Sequence, residues 1–273
     1  MKLSCLPVSF FPDIIAGRMS VAEWAKMGAE IGFDGIDLSL LFVPGRSLKV
    51  ARQMRRDVEG AGMRVVMLTT YPDFTHPDPM QRARELAEEQ EAVMVAAELG
   101  AELVRVTAGQ AHPETRREEG IEWATEGLMR LVESTQELGV TLVYENHGKP
   151  GSWQYPDFSQ PPDIFLEIMR RTAPSGLGIN FDTANATAFS NDPLGLLERV
   201  IPRLVSVHAA ETAALGRLEM VVLGTGLVPF PALFGRIKKS GFNGWICIEE
   251  GSRSGRQGVE AAARFVRETW SKA

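Results

Sequence analysis

Short apolar runs alternate along the chain with longer stretches in which apolar residues recur about every 3.6 positions. The short runs, which have the length of buried strands, cover residues 3–6, 35–38, 65–68, 103–106, 141–144, 178–181, 204–207 and 245–248. The longer stretches, which predict amphipathic helices, cover residues 20–31, 47–61, 79–99, 115–138, 161–172, 193–200, 230–239 and 256–271. The pattern therefore predicts a strand followed by a helix, repeated eight times.

Capping and turn residues support these boundaries. Ser20 stands three residues before Glu23, which predicts a capping box at the start of the first helix. Glycines that would end a helix stand before five of the later strands, at Gly32, Gly62, Gly100, Gly139 and Gly241. The helices are therefore expected to end where the next strand is about to begin.

Eight strand–helix units without a break in composition favour a closed parallel barrel over an open sheet. An open sheet would need a phosphate loop or a dinucleotide fingerprint after the first strand, and Pro7-Val8-Ser9-Phe10-Phe11 is neither. The length of 273 residues, with 44% hydrophobic content, suits one barrel of roughly 250 residues. We therefore expect an α/β fold, a (β/α)8 TIM barrel, forming a single domain over residues 1–273.

Charge and cysteine content narrow the class of protein. The net charge is −6 and no block of Lys and Arg appears, which argues against a nucleic-acid partner. Cys5 and Cys247 lie inside apolar runs and are expected to be reduced thiols. No apolar run approaches the roughly 18 residues of a membrane span. These features predict a cytoplasmic protein that does not act at a membrane.

Four ionisable residues each stand at the end of an apolar run, which is where a barrel places its chemistry. They are Glu145, Asp182, His208 and Glu249. The carboxyl ends of parallel strands converge on one face, so three carboxylates and an imidazole should meet there. Buried carboxylates at close range repel each other and lose their hydration. The simplest compensation is a divalent metal ion.

Longer motifs around these residues resemble the sugar-phosphate isomerase/epimerase superfamily, the xylose-isomerase-like TIM barrels that are related to endonuclease IV (AP endonuclease family 2). The resemblance spans nearly the whole chain. It rests on four motifs in order: Val143-Tyr144-Glu145-Asn146-His147, Ile179-Asn180-Phe181-Asp182-Thr183, Val207-His208-Ala209-Ala210-Glu211 and Gly244-Trp245-Ile246-Cys247-Ile248-Glu249-Glu250.

The resemblance implies a metal set made of Glu145, Asp182, His208 and Glu249. Three oxygen ligands and one imidazole suit Mn²⁺ best, with Mg²⁺, Co²⁺ and Zn²⁺ as alternatives. In the epimerase branch two glutamates also move a proton between the faces of a ketose. By resemblance, Glu145 and Glu249 are the catalytic acid/base pair, acting through an enediolate that the metal stabilises.

Further residues near the strand ends are candidates for binding substrate, although each also has an ordinary structural explanation. They are His147, Lys149, Trp153, Asn185, Glu211, Arg217, Arg105 and Tyr71. The longest strand-following loop, residues 147–160, is expected to cover the site. Glu211 is alternatively a residue that orients His208. Epimerases of this group commonly have histidine at the position of Asn185. Unlike histidine, asparagine cannot change its charge near neutral pH.

The leading hypothesis is a metal-dependent isomerase or epimerase of carbohydrate metabolism, acting on a small sugar or polyol-derived carbonyl compound. A lyase or dehydratase that eliminates next to a keto group, on a keto-sugar or inosose, would use the same base and metal. Asn185 and the aromatic residues of the long loop slightly favour this lyase or dehydratase hypothesis. An endonuclease-IV-like hydrolase and a non-catalytic sugar-binding barrel are weaker alternatives. A homo-oligomer is compatible with the sequence.

Overall fold

The computed structural model describes residues 1–273, and its centre is a barrel of eight parallel strands. The strands are β1 (Lys2–Leu6), β2 (Ile36–Ser39), β3 (Val65–Thr69), β4 (Leu103–Val106), β5 (Thr141–Glu145), β6 (Gly178–Asp182), β7 (Leu204–Ala209) and β8 (Trp245–Glu249). From β2 to β8 each strand pairs with the next one in sequence, and β1 pairs with β8. The predicted (β/α)8 TIM barrel is confirmed.

Ten α-helices lie between the strands or after the last one. They are α1 (Phe11–Ile15), α2 (Val21–Ile31), α3 (Leu48–Gly60), α4 (Pro79–Leu99), α5 (Arg117–Thr135), α6 (Pro162–Arg171), α7 (Thr183–Phe189), α8 (Pro193–Val200), α9 (Phe230–Lys239) and α10 (Gly255–Lys272). The expected capping box forms at α2, since Ser20 Oγ accepts from the Glu23 amide at 3.1 Å and the Glu23 carboxylate accepts from the Ser20 amide at 2.7 Å. None of the helices has the length and apolarity needed to cross a membrane.

The barrel closes between β1 and β2 through a few individual hydrogen bonds rather than through a strand ladder. The Leu3 amide donates to Asp34 at 2.9 Å, and the Asp34 amide donates to the Leu3 carbonyl at 2.9 Å. Inside the barrel, the Ser4 hydroxyl donates to the buried carboxylate of Asp37 at 2.8 Å. These contacts hold the first and second strands together, so the eight strand ends form one continuous rim.

Apolar residues fill two regions of the fold. A cluster of 60 buried residues lies mainly between the strands and the surrounding helices. A second cluster of 6, including Met67, Leu103, Val143 and Trp245, lies toward the end of the barrel at which the strands begin. Burying these residues removes much apolar surface from water, which is the main force that holds the barrel together. Polar side chains occupy the opposite end of the barrel, where the strands finish.

Candidate active site

Four side chains meet at the carboxyl ends of strands β5 to β8. Glu145, Asp182 and Glu249 are the last residues of their strands, and His208 is next to last in β7. Asp182 pairs in register with His208, so both side chains point into the barrel. One potential ligand atom from each of the four residues lies within 4.8 Å of the others. The structure therefore brings together the whole set that the sequence singled out.

The polar atoms of this cluster lack hydrogen-bond partners within the protein. Glu145, Asp182 and His208 are fully buried, yet Glu145 Oε1, Asp182 Oδ2 and both ring nitrogens of His208 make no hydrogen bond. The other oxygen of Asp182 accepts from the Asn185 amide and so caps α7. Buried polar atoms without partners are rare in stable proteins and need an explanation. A divalent cation coordinated by these four residues would supply it.

The electrostatics of the cluster support the same interpretation. Burial, followed by the negative charges of Glu249 and Glu145, raises the pKa of Asp182 well above its usual range. Burial alone would lower the pKa of His208, but the charges of Glu145 and Glu249 raise it well above its usual value. His208 Nδ1 lies 3.4 Å from Glu145 Oε2 and 3.2 Å from Glu249 Oε2. Protons thus compensate the excess negative charge, a task that a cation can take over.

Arg105 lies against one carboxylate of the set. Its Nε is 2.8 Å from Glu145 Oε2, an ion pair whose N–H direction does not give a good hydrogen bond. Its Nη1 donates to the Thr70 carbonyl at 2.8 Å, and its guanidinium carbon lies 4.5 Å from the centre of the Tyr71 ring. Burial alone would raise the pKa of Glu145, but Arg105 and then His208 hold it well below its usual range.

The two glutamates of the set therefore have unequal surroundings. Glu145 is fully buried and paired with Arg105, whereas 19% of the Glu249 side chain is exposed and its carboxylate has His208 as its ion-pair partner. A carboxylate held beside a fixed cation binds a proton weakly. Glu249 is therefore better placed than Glu145 to accept a proton from a bound molecule.

Aromatic rings surround His147 beside the metal cluster. The centre of its ring lies 6.1 Å from that of Tyr71 and 6.5 Å from that of Trp153. Burial lowers the pKa of His147 to about 4, so the ring is neutral at physiological pH. Three of the predicted substrate-binding residues thus lie together, and a fourth, Arg105, packs beneath Tyr71.

The long loop, residues 147–160, is fastened to the loop after β4. The Gln110 side chain accepts from the amides of Gln154 at 2.9 Å and Tyr155 at 3.2 Å. Its amide nitrogen in turn donates to Asp73 at 3.0 Å. The Phe158 amide donates to the Gly109 carbonyl at 2.8 Å, which adds a backbone contact. The long loop is therefore a fixed part of the wall beside the site.

Of the other predicted substrate residues, Lys149 and Arg217 have partners away from the metal cluster, whereas Asn185 lies next to Asp182. Lys149 donates to the Gln154 carbonyl at 2.8 Å, and the exposed Arg217 pairs with Glu219 at 2.7 Å. The buried side-chain oxygen of Asn185 has no hydrogen-bond partner and lies against Gly148. Roles for these three in binding substrate remain predictions.

Glu211 organises the loop after β7. Its carboxylate accepts from the backbone amides of Thr212 at 3.0 Å, Gly224 at 3.0 Å and Val228 at 2.9 Å. No hydrogen bond joins it to His208. A single buried side chain thus holds the two ends of this loop together, and a role for Glu211 toward substrate or His208 stays a prediction.

Sequence reasoning did not single out Asp157, Gln110 or Asp37. Asp157 lies in the long loop with its side chain fully buried, and burial raises its pKa to about 8. Asp37 is buried inside the barrel, where burial raises its pKa to about 6. The one available signal was Asp157-Phe158-Ser159, a typical sequence for an Asx turn, which does not by itself indicate a functional residue.

A family model for xylose isomerase-like TIM barrels matches residues 25–269, and the chain belongs to this family. An inosose dehydratase from Lacticaseibacillus casei is 24% identical over 139 residues, which cover 45% of this chain and 44% of the dehydratase. The chain thus matches less than half the length of that relative. A putative hydroxypyruvate isomerase from Streptomyces coelicolor is 25% identical and covers 87% of this chain and 88% of its own.

Solved structures share the fold over the whole chain. A D-tagatose 3-epimerase-like protein superposes with a TM-score of 0.79 at 19% identity, covering 100% of this chain and 98% of its own. The IOLI protein, solved with a bound zinc atom, gives a TM-score of 0.78 at 16% identity, covering 100% and 99%. The curated relatives named above are enzymes, as the sequence predicts for this chain.

Proposed function

We propose that this protein is a divalent-metal-dependent isomerase or epimerase that acts on a small sugar or polyol-derived carbonyl compound. The observation that carries the proposal is the cluster of Glu145, Asp182, His208 and Glu249, whose potential ligand atoms lie within 4.8 Å of one another. The family of the chain and the isomerase and epimerase among the compared proteins support this reaction type.

The same four residues would hold the cation. Their oxygen-rich donor set suits Mn²⁺, and the zinc atom in the IOLI protein supports Zn²⁺ as the principal alternative. When bound, the cation would act as a Lewis acid that stabilises negative charge developing on the substrate oxygens. Asp182 would present Oδ2, which has no hydrogen bond, whereas Oδ1 accepts from the Asn185 backbone amide at the start of α7.

Glu249 is the residue that would take the proton from the carbon next to the carbonyl. Its side chain is the exposed one of the two glutamates, and no arginine or lysine pairs with it. Glu145 would stay ionised beside Arg105, so its negative charge would not change during the reaction. A positioned base of this kind contributes roughly 10²–10⁴-fold to the rate. Tyr71 and Trp153 would contact the apolar face of a sugar ring, and His147 one of its hydroxyls.

The test combines metal analysis with proton exchange. The purified protein is stripped of metal, reloaded with Mn²⁺, Mg²⁺, Co²⁺ or Zn²⁺, and incubated in D2O with a panel of ketoses, hydroxypyruvate and inososes. We expect one metal ion per chain and deuterium at one substrate carbon. Glu249→Gln should abolish exchange while retaining metal, and the exposed Glu219→Gln should change neither. Exchange at the wild-type rate in Glu249→Gln would refute the assignment of the base.

A dehydratase is the second candidate, and the unequal glutamates favour it. Two-base epimerisation requires a proton from each face, yet Arg105 opposes protonation of Glu145. Elimination of water needs one base on the carbon acid and one donor for the leaving hydroxyl, as the inosose dehydratase match also suggests. The same panel separates the two reactions, because elimination gives a product with a new ultraviolet absorbance and epimerisation gives a stereoisomer.

A further inference from the structure

Glu89 is a buried carboxyl group on the inner face of helix α4. Its neighbours on that face, about one turn away on either side, are Leu86 and Val93, and both are part of the apolar core. A carboxyl group in such a layer is costly, and burial raises the pKa of Glu89 to about 7. Leucine would pack at this position without that cost, so the carboxyl group needs a specific explanation.

The side chain of Glu89 makes one hydrogen bond, and its partner stands beside Arg105. The hydroxyl of Thr70, the first residue after β3, donates to Glu89 Oε1. The same hydroxyl oxygen lies 3.0 Å from the Arg105 carbonyl, but a hydroxyl has only one proton and the contact with Glu89 is the closer one. The ionised and the protonated carboxyl group both offer an acceptor oxygen, so this contact does not depend on which form is present.

Thr70 is in turn joined to Arg105 by its backbone. The Thr70 amide donates to the Arg105 carbonyl at 2.9 Å, and the Thr70 carbonyl accepts from Arg105 Nη1 at 2.8 Å. The next residue, Tyr71, places its ring centre 4.5 Å from the guanidinium carbon. The guanidinium also contacts Glu145, whose Oε2 lies 2.8 Å from Nε. Two of these three contacts therefore come from the segment to which Glu89 is bound.

The geometry points to Glu89 as a positioning residue that fixes Thr70 and thereby holds Arg105 against Glu145. The contacts run from helix α4, outside the barrel, to the metal cluster inside it, and all four residues are buried. Arg105 Nε has no well-directed hydrogen bond of its own, so loss of the Thr70 contact should let the guanidinium move away from Glu145. The consequence for turnover rests on the proposed function, whereas the effect on Arg105 itself does not.

Two pairs of variants separate this role from a general loss of packing. Glu89→Met and Thr70→Val each remove one side of the hydrogen bond while keeping a side chain of similar shape. Glu89→Gln and Thr70→Ser keep the acceptor oxygen and the hydroxyl, respectively. The matched control is Thr135→Val, which removes another buried hydroxyl, bonded at 2.7 Å to the Leu131 carbonyl at the end of α5.

The first readout needs no substrate. Nitrogen-15 NMR of arginine-labelled, Mg²⁺-loaded protein follows the Nε–H group of Arg105, whose signal is the one that disappears in Arg105→Met. Losing one hydrogen bond of ordinary strength should speed hydrogen exchange of this group by about tenfold. We expect that change in Glu89→Met and Thr70→Val, and wild-type exchange in Glu89→Gln, Thr70→Ser and Thr135→Val. Wild-type exchange in the first two variants, or equally fast exchange in Glu89→Gln or Thr135→Val, would overturn the proposal.

The second readout uses whichever panel substrate exchanges deuterium. Glu89→Met and Thr70→Val should lower kcat by about 10- to 100-fold with KM and metal content unchanged. Neither should lower kcat further in an Arg105→Met background, because both act through Arg105. An equal loss in that background would mean that Glu89 acts without Arg105, which would overturn the proposal. Absence of activity on every substrate would count against the proposed function alone, since exchange at Arg105 is measured without substrate.

Discussion

Replacing Arg105 by methionine tests whether Arg105 compensates the buried negative charge of Glu145. The variant keeps an unbranched side chain of similar length but leaves Glu145 without its cation. Both partners are buried, with 2% and 0% of their side chains exposed. Removing one partner of a buried ion pair typically destabilises a protein by about 3–5 kcal/mol, because the remaining charge stays in a medium of low polarity. The lost contact with the Tyr71 ring acts in the same direction.

The assay is urea unfolding followed by circular dichroism, with and without saturating Mn²⁺. In the metal-free protein we expect Arg105→Met to lower the free energy of unfolding by about 3–5 kcal/mol. With Mn²⁺ bound, the deficit should shrink, because the cation supplies positive charge to the same carboxylate. The matched control is Arg52→Met, whose exposed pair with Glu98 at 2.7 Å should contribute less than about 1 kcal/mol.

Two results would refute this reasoning. Equal destabilisation by Arg105→Met and Arg52→Met would mean that Glu145 is not held in a low-polarity environment. A deficit in Arg105→Met that Mn²⁺ leaves unchanged would mean that the cation does not bind next to Glu145. The first result concerns the barrel interior and the second the metal, so the two conclusions remain separable.

Three further predictions follow from described contacts. Metal binding should release protons from Asp182 and His208, because both pKa values are raised in the metal-free site. Affinity should therefore fall as pH falls, and calorimetry in buffers of different ionisation enthalpy measures the release. Gln110→Ala should increase hydrogen exchange at the amides of Gln154 and Tyr155, and unchanged exchange would contradict its fastening role. Ser20→Ala should lower stability by about 1 kcal/mol in chemical unfolding, since it removes the α2 cap.

The barrel could be predicted because its determinants are local and repeated. Each strand was found within one or two residues, since a continuous apolar run between glycine-ended helices has few other interpretations. The first helix of the α7–α8 pair was missed for a physical reason. Helix α7, Thr183–Phe189, is buried at every position except Phe189, so it has no solvent-exposed polar face and shows no amphipathic period.

The metal cluster could be predicted because topology alone brings parallel strand ends together. The partners of those residues could not, since they depend on distances across the barrel rather than along the chain. Arg105 was recognised as a residue near the site, but its pairing with Glu145 depends on side-chain direction at two strand ends. Asp157 was missed because its carboxylate comes within 3.9 Å of His147 only after the long loop has folded back on itself.

The carboxylate of Glu211 has an implication for how this barrel can diversify. That one group accepts from the amides of Thr212, Gly224 and Val228, so it holds the two ends of the loop together. Ala214 and Leu223 are buried, whereas the residues at 215–219 are exposed. Residues 215–219 are therefore expected to tolerate exchange or a change of length while Glu211 and the barrel stay in place. New selectivity at the mouth of the site could be introduced in this exposed stretch, by evolution or by design, with Glu211 kept.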